Sequence, residues 1–374
     1  MTVSALAAEL IRIDSVNPGL VPGTAGESAI VDHLRARLDL AGFTTHVVYA
    51  DASRPSLVAV APGDPDWPTV VLNGHVDTVG VAGMAAPFTP VLDGDRLCGR
   101  GAADMKGGVA ALVVAAEQLV ATRAPVRPVL ALVADEEDAS LGSEAVIAAL
   151  PRLGITPDVC LIGEPTDLAL ARSLRGFAVV RVEFAGKAAH SSQPELGVNA
   201  VTALGRLLAA VEDRASVIRA HGGDLMVTMA RGGSSTFVIP DQAECVVERR
   251  TTPEESAADV LDEVTGLLPP DSGAVAKLVA HRAGWRLDTS GPAAQLASRL
   301  GAALQTAATF DAPYWMEAPL WQQVCPTLVC GPSGGGLHAV DEWLDLRQLR
   351  AYAEALPRVL TAWAANADRD DAAV

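Results

Sequence analysis

The feature that most constrains the fold is a regular alternation of strand-like and helix-like segments over roughly the first 170 residues. Short apolar runs, such as 69–74 and 126–134, are bounded by polar residues, whereas the segment from about 106 to 120 places its apolar residues close to a 3.6-residue period. Strands that alternate with helices predict a mainly parallel sheet covered by helices. In such sheets ligands bind beyond the carboxyl ends of the strands. The pattern therefore predicts where a site lies before any of its residues is identified.

A different pattern occupies residues 174 to about 285. An alternating strand at 177–184 opens this segment, and a helix, two strands, a second helix and a last strand follow it. The β-α-β-β-α-β order predicts a small sheet with helices on one face. A chain of 374 residues also exceeds the size of a single core. We therefore predict an α/β domain formed by 1–173 and 286–374, with an inserted α+β domain at 174–285.

The composition argues against several classes of protein. A net charge of −17 does not suit a nucleic-acid surface, which needs clustered Lys and Arg. The five cysteines contain no Cys-x-x-Cys pair, which favours buried free thiols in a reducing compartment over disulfides or a thiolate metal site. The N-terminal apolar run carries Glu9 and has no basic leader, and no apolar run approaches the length of a membrane span. We expect a cytoplasmic protein that binds neither nucleic acid nor membrane.

Carboxylates and imidazoles collect at the ends of the predicted strands. His75 and Asp77 follow the strand at 69–74, and their spacing places both on one face, so the carboxylate can orient the imidazole. The other candidates at this edge are Asp104, the acidic run at 135–138, Glu164 and His338. Carboxylates that converge in one cleft repel each other and protonate unless cations hold them ionised. The pattern therefore favours a metal site.

The donor types suit zinc, cobalt or manganese. One metal ion would use three or four of these ligands, whereas two ions roughly 3.5–4 Å apart would use five, with one carboxylate bridging them. Two divalent ions against three ligating carboxylates leave one positive charge, which a hydroxide would cancel. Charge counting therefore favours the two-metal arrangement.

Six motifs, in this order, resemble those of one metallohydrolase family, which includes acetylornithine deacetylase, succinyl-diaminopimelate desuccinylase, aminoacylase and a bacterial glutamate carboxypeptidase. The resemblance covers nearly the whole chain, including the inserted segment. The motifs are NGHVD at 73–77, GAADMKGG at 101–108, DEE at 135–137, GEPT at 163–166, GKAAHS at 186–191 and LH at 337–338.

This resemblance implies an amidohydrolase that removes an N-acyl group, acetyl or succinyl, from an amino acid, with two divalent metal ions as cofactors, expected to be zinc. His75 and Glu164 would hold one ion, Glu137 and His338 the other, and Asp104 would bridge them. The domain at 1–173 and 286–374 would be catalytic, and the domain at 174–285 a lid or dimerisation domain.

The resemblance also implies roles outside the ligand set. Asp77 would orient the first histidine, and Glu136 would be the general base that takes a proton from the attacking water and later delivers it to the leaving amine. His190 would stabilise the tetrahedral intermediate in the site of a partner subunit of a homodimer. Arg250 would grip the substrate's carboxylate through its bidentate fork. Glu317 would either bind a cationic substrate side chain or support the metal ligands.

Two positions nearby need separate comment. Phe237 stands where members of the family usually have an asparagine that donates a hydrogen bond near the substrate, which puts the usual carboxylate recognition in doubt. Arg249 alternates with its neighbour Arg250 and is expected to be solvated on the opposite strand face.

Other functions remain to be weighed. A dipeptidase or carboxypeptidase of the same family is the main alternative, because short peptides and N-acyl amino acids present a carboxylate and an amide at similar spacing. A catalytically dead binding homologue is disfavoured by the presence of every ligand and of the base. A serine hydrolase is disfavoured because no histidine follows His338, as the Gly-x-Ser-x-Gly match at 331–335 would require. A dinucleotide site is disfavoured because Asp104 replaces the third glycine of its motif.

Overall fold

The computed structural model describes residues 2–370. These residues form two compact units, each with its own hydrophobic core. The first unit contains the described residues up to Ala171, Leu287–Phe310 and the described residues from Leu320 onward. The second contains Arg172–Arg286 and Asp311–Pro319.

The strands are β1 Thr44–Tyr49, β2 Pro55–Val60, β3 Thr69–His75, β4 Val91–Asp93, β5 Arg96–Cys98, β6 Arg127–Val133, β7 Val159–Ile162, β8 Leu170–Leu174, β9 Gly176–Ala185, β10 Asp224–Gly232, β11 Gln242–Thr251, β12 Val275–Arg282, β13 Trp285–Arg286, β14 Thr309–Ala312, β15 Thr327–Val329, β16 Gly334–Gly335 and β17 Trp343–Asp345. The helices are α1 Val3–Ile11, α2 Ser28–Leu40, α3 Gly107–Thr122, α4 Leu141–Ala149, α5 Ala200–Ala220, α6 Ala257–Gly266, α7 Gly291–Ala303, α8 Ala318–Trp321 and α9 Leu346–Asp370. Short sheets in the orders β13-β8-β14 and β16-β17-β5-β4 complete the fold.

The central sheet of the first unit has the strand order β1-β2-β6-β3-β7-β15. Its middle is parallel, because β3 pairs in parallel with β6 and β7, and β15 does so with β7. The edge formed by β1 and β2 is antiparallel. Every residue of β3 is buried, as expected for a strand covered on both faces. The prediction of a mainly parallel sheet packed with helices is confirmed for the centre of this sheet.

One helical stretch needs comment because sequence inspection identified no apolar run of membrane-spanning length. Ala102–Thr122 is long and apolar enough, by length and composition, to cross a bilayer. The charged residues Asp104 and Lys106 interrupt its apolar residues, which is why inspection of the sequence missed it. In the structure 67% of its most apolar window is buried, and α3 packs against α1 and α9. This burial is typical of the core helix of a globular domain.

The second unit is an antiparallel sheet in the order β10-β11-β9-β12. Alternate residues of β9 and β11 are buried and form one core with the apolar residues of α5 and α6. The helices therefore cover one face of the sheet, and the intervening residues of β9 and β11 point to the other face. The order of strands and helices agrees with that predicted for 174–285.

Two expectations about this unit were wrong. The segment Asp311–Pro319 packs with the second unit, although the sequence placed it with 286–374. Trp315 attaches it, because its indole N–H donates to the Ala283 carbonyl at 3.1 Å and its ring meets Phe177 edge-on. Arg249 is not solvated but 4% exposed, because Glu255 and Glu263 bind its guanidinium on the face that the helices cover.

Candidate metal centre

The five predicted ligands meet in the first unit. His75 is the last residue of β3, Glu164 lies two residues beyond β7, and Glu137 lies four residues beyond β6. These strands are neighbours in the parallel part of the sheet, so their carboxyl ends share one edge. Asp104 comes from the short π-helical turn Ala102–Lys106 before α3, and His338 comes from the loop after β16.

The ligand atoms form two groups that share Asp104. In the first group, Nε2 of His75 lies 3.0 Å from Oδ1 of Asp104 and 3.9 Å from Oε1 of Glu164. In the second group, Nε2 of His338 lies 3.3 Å from Oδ2 of Asp104 and 3.0 Å from Oε2 of Glu137. The donor atoms within each group lie within 4.8 Å of one another. The two oxygens of Asp104 thus face different histidines, which is the placement that a bridging carboxylate needs. We call these five residues the metal centre.

The charges of the metal centre fit metal ions. Burial alone lowers the pKa of His75, but the carboxylates of Glu164 and Asp104 outweigh it and raise this pKa well above its ordinary value. Hydrogen bonds to Asp104 and Glu137 raise the pKa of His338 to about 10. The carboxylates thus stabilise positive charge beside both imidazoles. Among the described residues, Oε1 of Glu137 has no hydrogen-bond partner although it is buried. The carboxylates of the cluster are largely buried, and a buried carboxylate oxygen without a hydrogen-bond partner fits divalent cations.

Asp77 has more contacts than the sequence predicted. The nearest acceptor to Nδ1 of His75 is the backbone carbonyl of Asp77 at 3.1 Å, and the Asp77 carboxylate lies 3.6 Å from the same nitrogen. This carboxylate also accepts hydrogen bonds from the backbone N–H groups of Glu136 at 3.1 Å and Glu137 at 3.3 Å. Although burial alone raises the pKa of Asp77, its interactions with His75 and Asn17 hold it below the ordinary value. Asp77 therefore fixes both the histidine and the turn that carries the proposed base.

A second buried carboxylate, which sequence reasoning missed, holds the turn at Asp104. Oε1 of Glu342 accepts hydrogen bonds from the backbone N–H groups of Ala103 at 2.9 Å and Asp104 at 3.1 Å. Oε2 accepts from the Gly101 N–H at 2.9 Å and from the guanidinium of Arg100 at 2.7 Å. Glu342 is 1% exposed, so it takes part in no solvent-facing chemistry. Glu342 lies four residues after His338 and belongs to no motif, so the sequence alone does not indicate its role.

A third buried group lies behind the acidic run, and sequence reasoning missed it as well. The Arg54 guanidinium binds Glu27 through Nε at 3.0 Å and Nη2 at 2.5 Å, and it binds Asp135 through Nη1 at 2.8 Å. The side-chain amide of Asn17 donates to Asp77 at 2.7 Å and to Asp135 at 3.1 Å. Hydrogen bonds therefore connect Glu27 to the carboxylate that holds the Glu136–Glu137 turn.

The remaining predicted site residues belong to the second unit. His190 is exposed, and its Nδ1 accepts from the backbone N–H of Ser192 at 3.2 Å. Because Nδ1 is an acceptor, the ring proton is assigned to Nε2, which is then available as a donor. The loop that carries Phe237 pairs with the His190 loop, since the Ser191 N–H donates to the Phe237 carbonyl at 3.0 Å. Phe237 is 69% exposed and so presents its ring to solvent.

Arg250 lies on β11 with its side chain half-buried, and its Nε donates to Glu248 at 2.6 Å. Glu317 is 1% exposed. A buried carboxylate favours a supporting role over the binding of a cationic substrate side chain.

Comparison with known proteins agrees with this geometry. Residues 71–362 match the model of the family described as peptidase family M20/M25/M40. The chain belongs to this family. Its metal centre is accordingly that of a metal-dependent hydrolase of amide bonds, and the dinuclear peptidases of the M20 family suggest two divalent metal ions.

Relatives in the M20 family cover almost the entire chain. A succinyl-diaminopimelate desuccinylase of Leptothrix cholodnii is 30% identical over 96% of this chain and 97% of its own. One from Dinoroseobacter shibae is also 30% identical, over 95% and 97%. A tripeptidase from Staphylococcus aureus superposes with a TM-score of 0.80 at 18% identity, covering 97% of this chain and 98% of its own. A dinuclear metal-binding M20 peptidase from Bacillus subtilis gives 0.74 at 16% identity, over 96% and 97%.

Proposed function

We propose that the chain is a two-metal amidohydrolase that removes an N-acyl group, acetyl or succinyl, from an amino acid. The observation that carries this proposal is the pair of ligand groups that share Asp104. The names of the desuccinylase relatives support the reaction type. Zinc is the proposed metal because imidazole and carboxylate donors suit it, and the same donors accept cobalt or manganese.

The roles of the side chains follow from their surroundings. The bound metal ions supply Lewis-acid activation of water and of the amide carbonyl. Glu136 takes the proton from the attacking water and passes it to the nitrogen of the leaving amine. Its backbone N–H is anchored on Asp77, and its side chain is half-buried, so it is held in place without being sealed from substrate. Arg250 binds the carboxylate of the amino-acid part with its guanidinium fork.

Metal analysis and a substrate panel test this function. The purified protein should carry two divalent ions per chain, lose activity with a chelator and regain it with zinc. The panel contains N-acetyl-ornithine, N-succinyl-diaminopimelate, other N-acyl amino acids and dipeptides, and release of primary amine is the readout. Cleavage of dipeptides alone would favour the peptidase alternative. Two bound metals with no cleavage of any member, or no bound metal, would overturn the proposal.

We also infer that the enzyme acts as a cytoplasmic homodimer. The five unpaired cysteines support a reducing compartment. His190 supports the dimer, because its Nε2–H is a donor suited to a developing oxyanion, and in dimeric members of the family the equivalent histidine serves a partner's site.

Complementation tests the role of His190. The His190→Ala variant should lose about 10²–10³-fold in kcat, the usual effect of removing one oxyanion donor. Mixed with Glu136→Gln, it should recover part of the activity, because a heterodimer then contains one complete site. A mixture of Glu136→Gln with His75→Ala is the control, since both substitutions damage the first unit and the mixture stays inactive. Failure of the first mixture to recover activity would contradict a shared site.

A further inference from the structure

Two arginines and two aromatic residues form a row at one end of the sheet in the second unit. Strand register places Phe177 of β9 directly opposite Arg250 of β11 and directly opposite Arg282 of β12. The three residues therefore lie side by side on neighbouring strands. Trp315, from the segment Asp311–Pro319, packs against Phe177. We call Arg250, Phe177, Arg282 and Trp315 the arginine row.

The arginine row lies on the face of the sheet that α5 and α6 leave uncovered. On β9 the residues Ala178 and Val180 point into the helix-covered core, so Phe177 points away from it. Directly opposed residues of an antiparallel pair point to the same face. Arg250 and Arg282 therefore share the open face with Phe177, and none of these three residues is fully buried.

The aromatic rings order both guanidinium groups. Cζ of Arg250 lies 5.6 Å from the centroid of the Phe177 ring, and Cζ of Arg282 lies 5.8 Å from that of Trp315. The two rings meet edge-on, with centroids 6.4 Å apart and planes at 82°. Cation–π contacts at these distances hold a guanidinium plane while its N–H groups remain able to bind an anion.

Arg250 has unused donors for an anion. Glu248 accepts from its Nε only, and the Nη groups make no hydrogen bond to the residues that the structure describes. Two terminal N–H groups in a fixed plane match the two oxygens of a carboxylate. Arg282 places a second guanidinium group on the other side of Phe177.

The spacing of the two arginines suits one substrate with two carboxylates. Strands lie about 4.8 Å apart, so the Cα atoms of arginines on either side of β9 are separated by roughly 10 Å. In an N-succinyl amino acid six bonds join the two carboxylate carbons, a span of roughly 7 Å when extended, as in two backbone residues. Arginine side chains are long enough for the two guanidinium groups to reach two carboxylates at that distance.

We propose that Arg282 is a specificity-determining residue that, together with Arg250, selects N-acyl amino acids whose acyl chain ends in its own carboxylate. Arg250 binds the carboxylate of the amino acid, and Arg282 binds that of the acyl chain. Phe177 and Trp315 hold the two forks and pack against the methylene groups between the carboxylates. This assignment rests on the proposed function and names its substrate class.

A matched substrate pair tests the assignment. N-succinyl-ornithine and N-acetyl-ornithine differ in the terminal carboxymethyl group of the acyl chain. Arg282→Gln should raise KM for the succinyl compound by about 10- to 100-fold, the loss expected for one charged hydrogen-bonded pair, and change kcat/KM for the acetyl compound less than twofold. Arg282→Lys, which keeps the charge but not the fork, should fall between Arg282→Gln and the wild type. Arg231→Gln, at the other end of the same sheet, is the control.

A binding measurement separates this proposal from the proposed function. In the metal-loaded Glu136→Gln protein, calorimetry gives Kd for both compounds without turnover, before and after Arg282→Gln. Loss of succinyl binding alone would support the arginine row even if the wild type cleaved neither compound, and the proposed function would then fail separately. An equal effect of Arg282→Gln on both compounds, or no effect on either, would overturn the specificity role even if hydrolysis is efficient.

Discussion

The metal centre and the arginine row are built in different ways. At the metal centre His75 is 1% exposed, and the buried carboxylates of Asp77 and Glu342 accept hydrogen bonds from the backbone of the turns that carry its ligands. In the arginine row the charged groups lie on an open sheet face and are ordered by aromatic rings. The first arrangement holds ligand atoms through hydrogen bonds, and the second holds guanidinium groups through contacts with aromatic rings. Substitutions at the metal centre should therefore change kcat or metal content, whereas substitutions in the arginine row should change KM.

The largest effect is expected at Glu136. Glu136→Gln removes the acid–base group but leaves the ligand atoms untouched, so kcat should fall by about 10²–10⁴-fold while metal content stays at the wild-type value. Steady-state kinetics and elemental analysis of the same preparation measure both. Asp138→Asn is the matched control, because it makes the same acid-to-amide change at an exposed position of the same acidic run. Near-normal kcat in Glu136→Gln would refute its assignment as the base.

Substitution of Glu342 tests whether the hydrogen bonds that hold the Asp104 turn are as important for metal binding as the ligands themselves. Glu342→Ala leaves Arg100 as an uncompensated buried charge and frees the N–H groups of the Asp104 turn. We expect the metal-free protein to lose about 3–5 kcal/mol in its free energy of unfolding. Metal content should fall as well, because Asp104 contributes to both ligand groups.

Urea denaturation and metal titration measure the two effects of Glu342→Ala. Glu342→Gln retains one acceptor oxygen and should lose less of both quantities. Glu354→Ala, an exposed glutamate on α9, is the control. Full metal content in a destabilised Glu342→Ala protein would show that its role is structural only.

Arg54 extends the comparison to the buried network behind the metal centre. Burial already raises the pKa of Glu27 despite its bonds to Arg54, and Arg54→Met should raise this pKa further. The variant should lose about 3–5 kcal/mol of unfolding free energy near pH 8, where Glu27 would be charged and unpaired. A carboxyl whose pKa is higher in the folded state gains stability as pH falls.

The loss of unfolding free energy in Arg54→Met, relative to the wild type, should therefore become smaller as the pH falls from 8 to 5. Urea unfolding at several pH values measures the difference, with Arg35→Met as a control because Arg35 pairs with Asp39 on an exposed helix face. A deficit that does not change with pH would mean that Glu27 is not the group left unpaired.

The sequence predicted that the five residues of the metal centre come together, because several of them follow a topological rule. His75 and Glu164 lie at or just beyond the carboxyl ends of parallel strands, which meet at one edge whatever the loops do. The strands themselves were recognisable as buried apolar runs, and the motifs around them are short and local. Both the ligand residues and the strands that position them could therefore be predicted from the sequence alone.

The supporting groups were not predictable because they depend on contacts between distant segments. Arg54 meets Glu27 and Asp135 across long stretches of chain, and no local pattern distinguishes it from a surface arginine. Trp315 is similar, since its contacts with Phe177 and Ala283, which are distant from it in the chain, help to attach the segment Asp311–Pro319 to the second unit. Arg282 was overlooked because register, not sequence spacing, places it beside Phe177.

The smallest effect expected concerns the stability of the two units rather than their chemistry. Cys330 is buried in the first unit and Cys245 in the second, and burial raises their thiol pKa values to about 12 and about 11. Neither should react with a thiol reagent in the native protein at pH 8, whereas half-exposed Cys98 should react. In increasing urea, Cys245 should become reactive first, because the second unit has the smaller core.

Pulsed alkylation followed by peptide mass spectrometry measures the urea midpoint of each cysteine. Cys160, buried in the first unit, is the internal control and should follow Cys330. A single midpoint for Cys160, Cys245 and Cys330 would mean that the two units unfold together. The arginine row would then share the stability of the metal centre, and a substitution in one could reach the other through the common unfolding equilibrium.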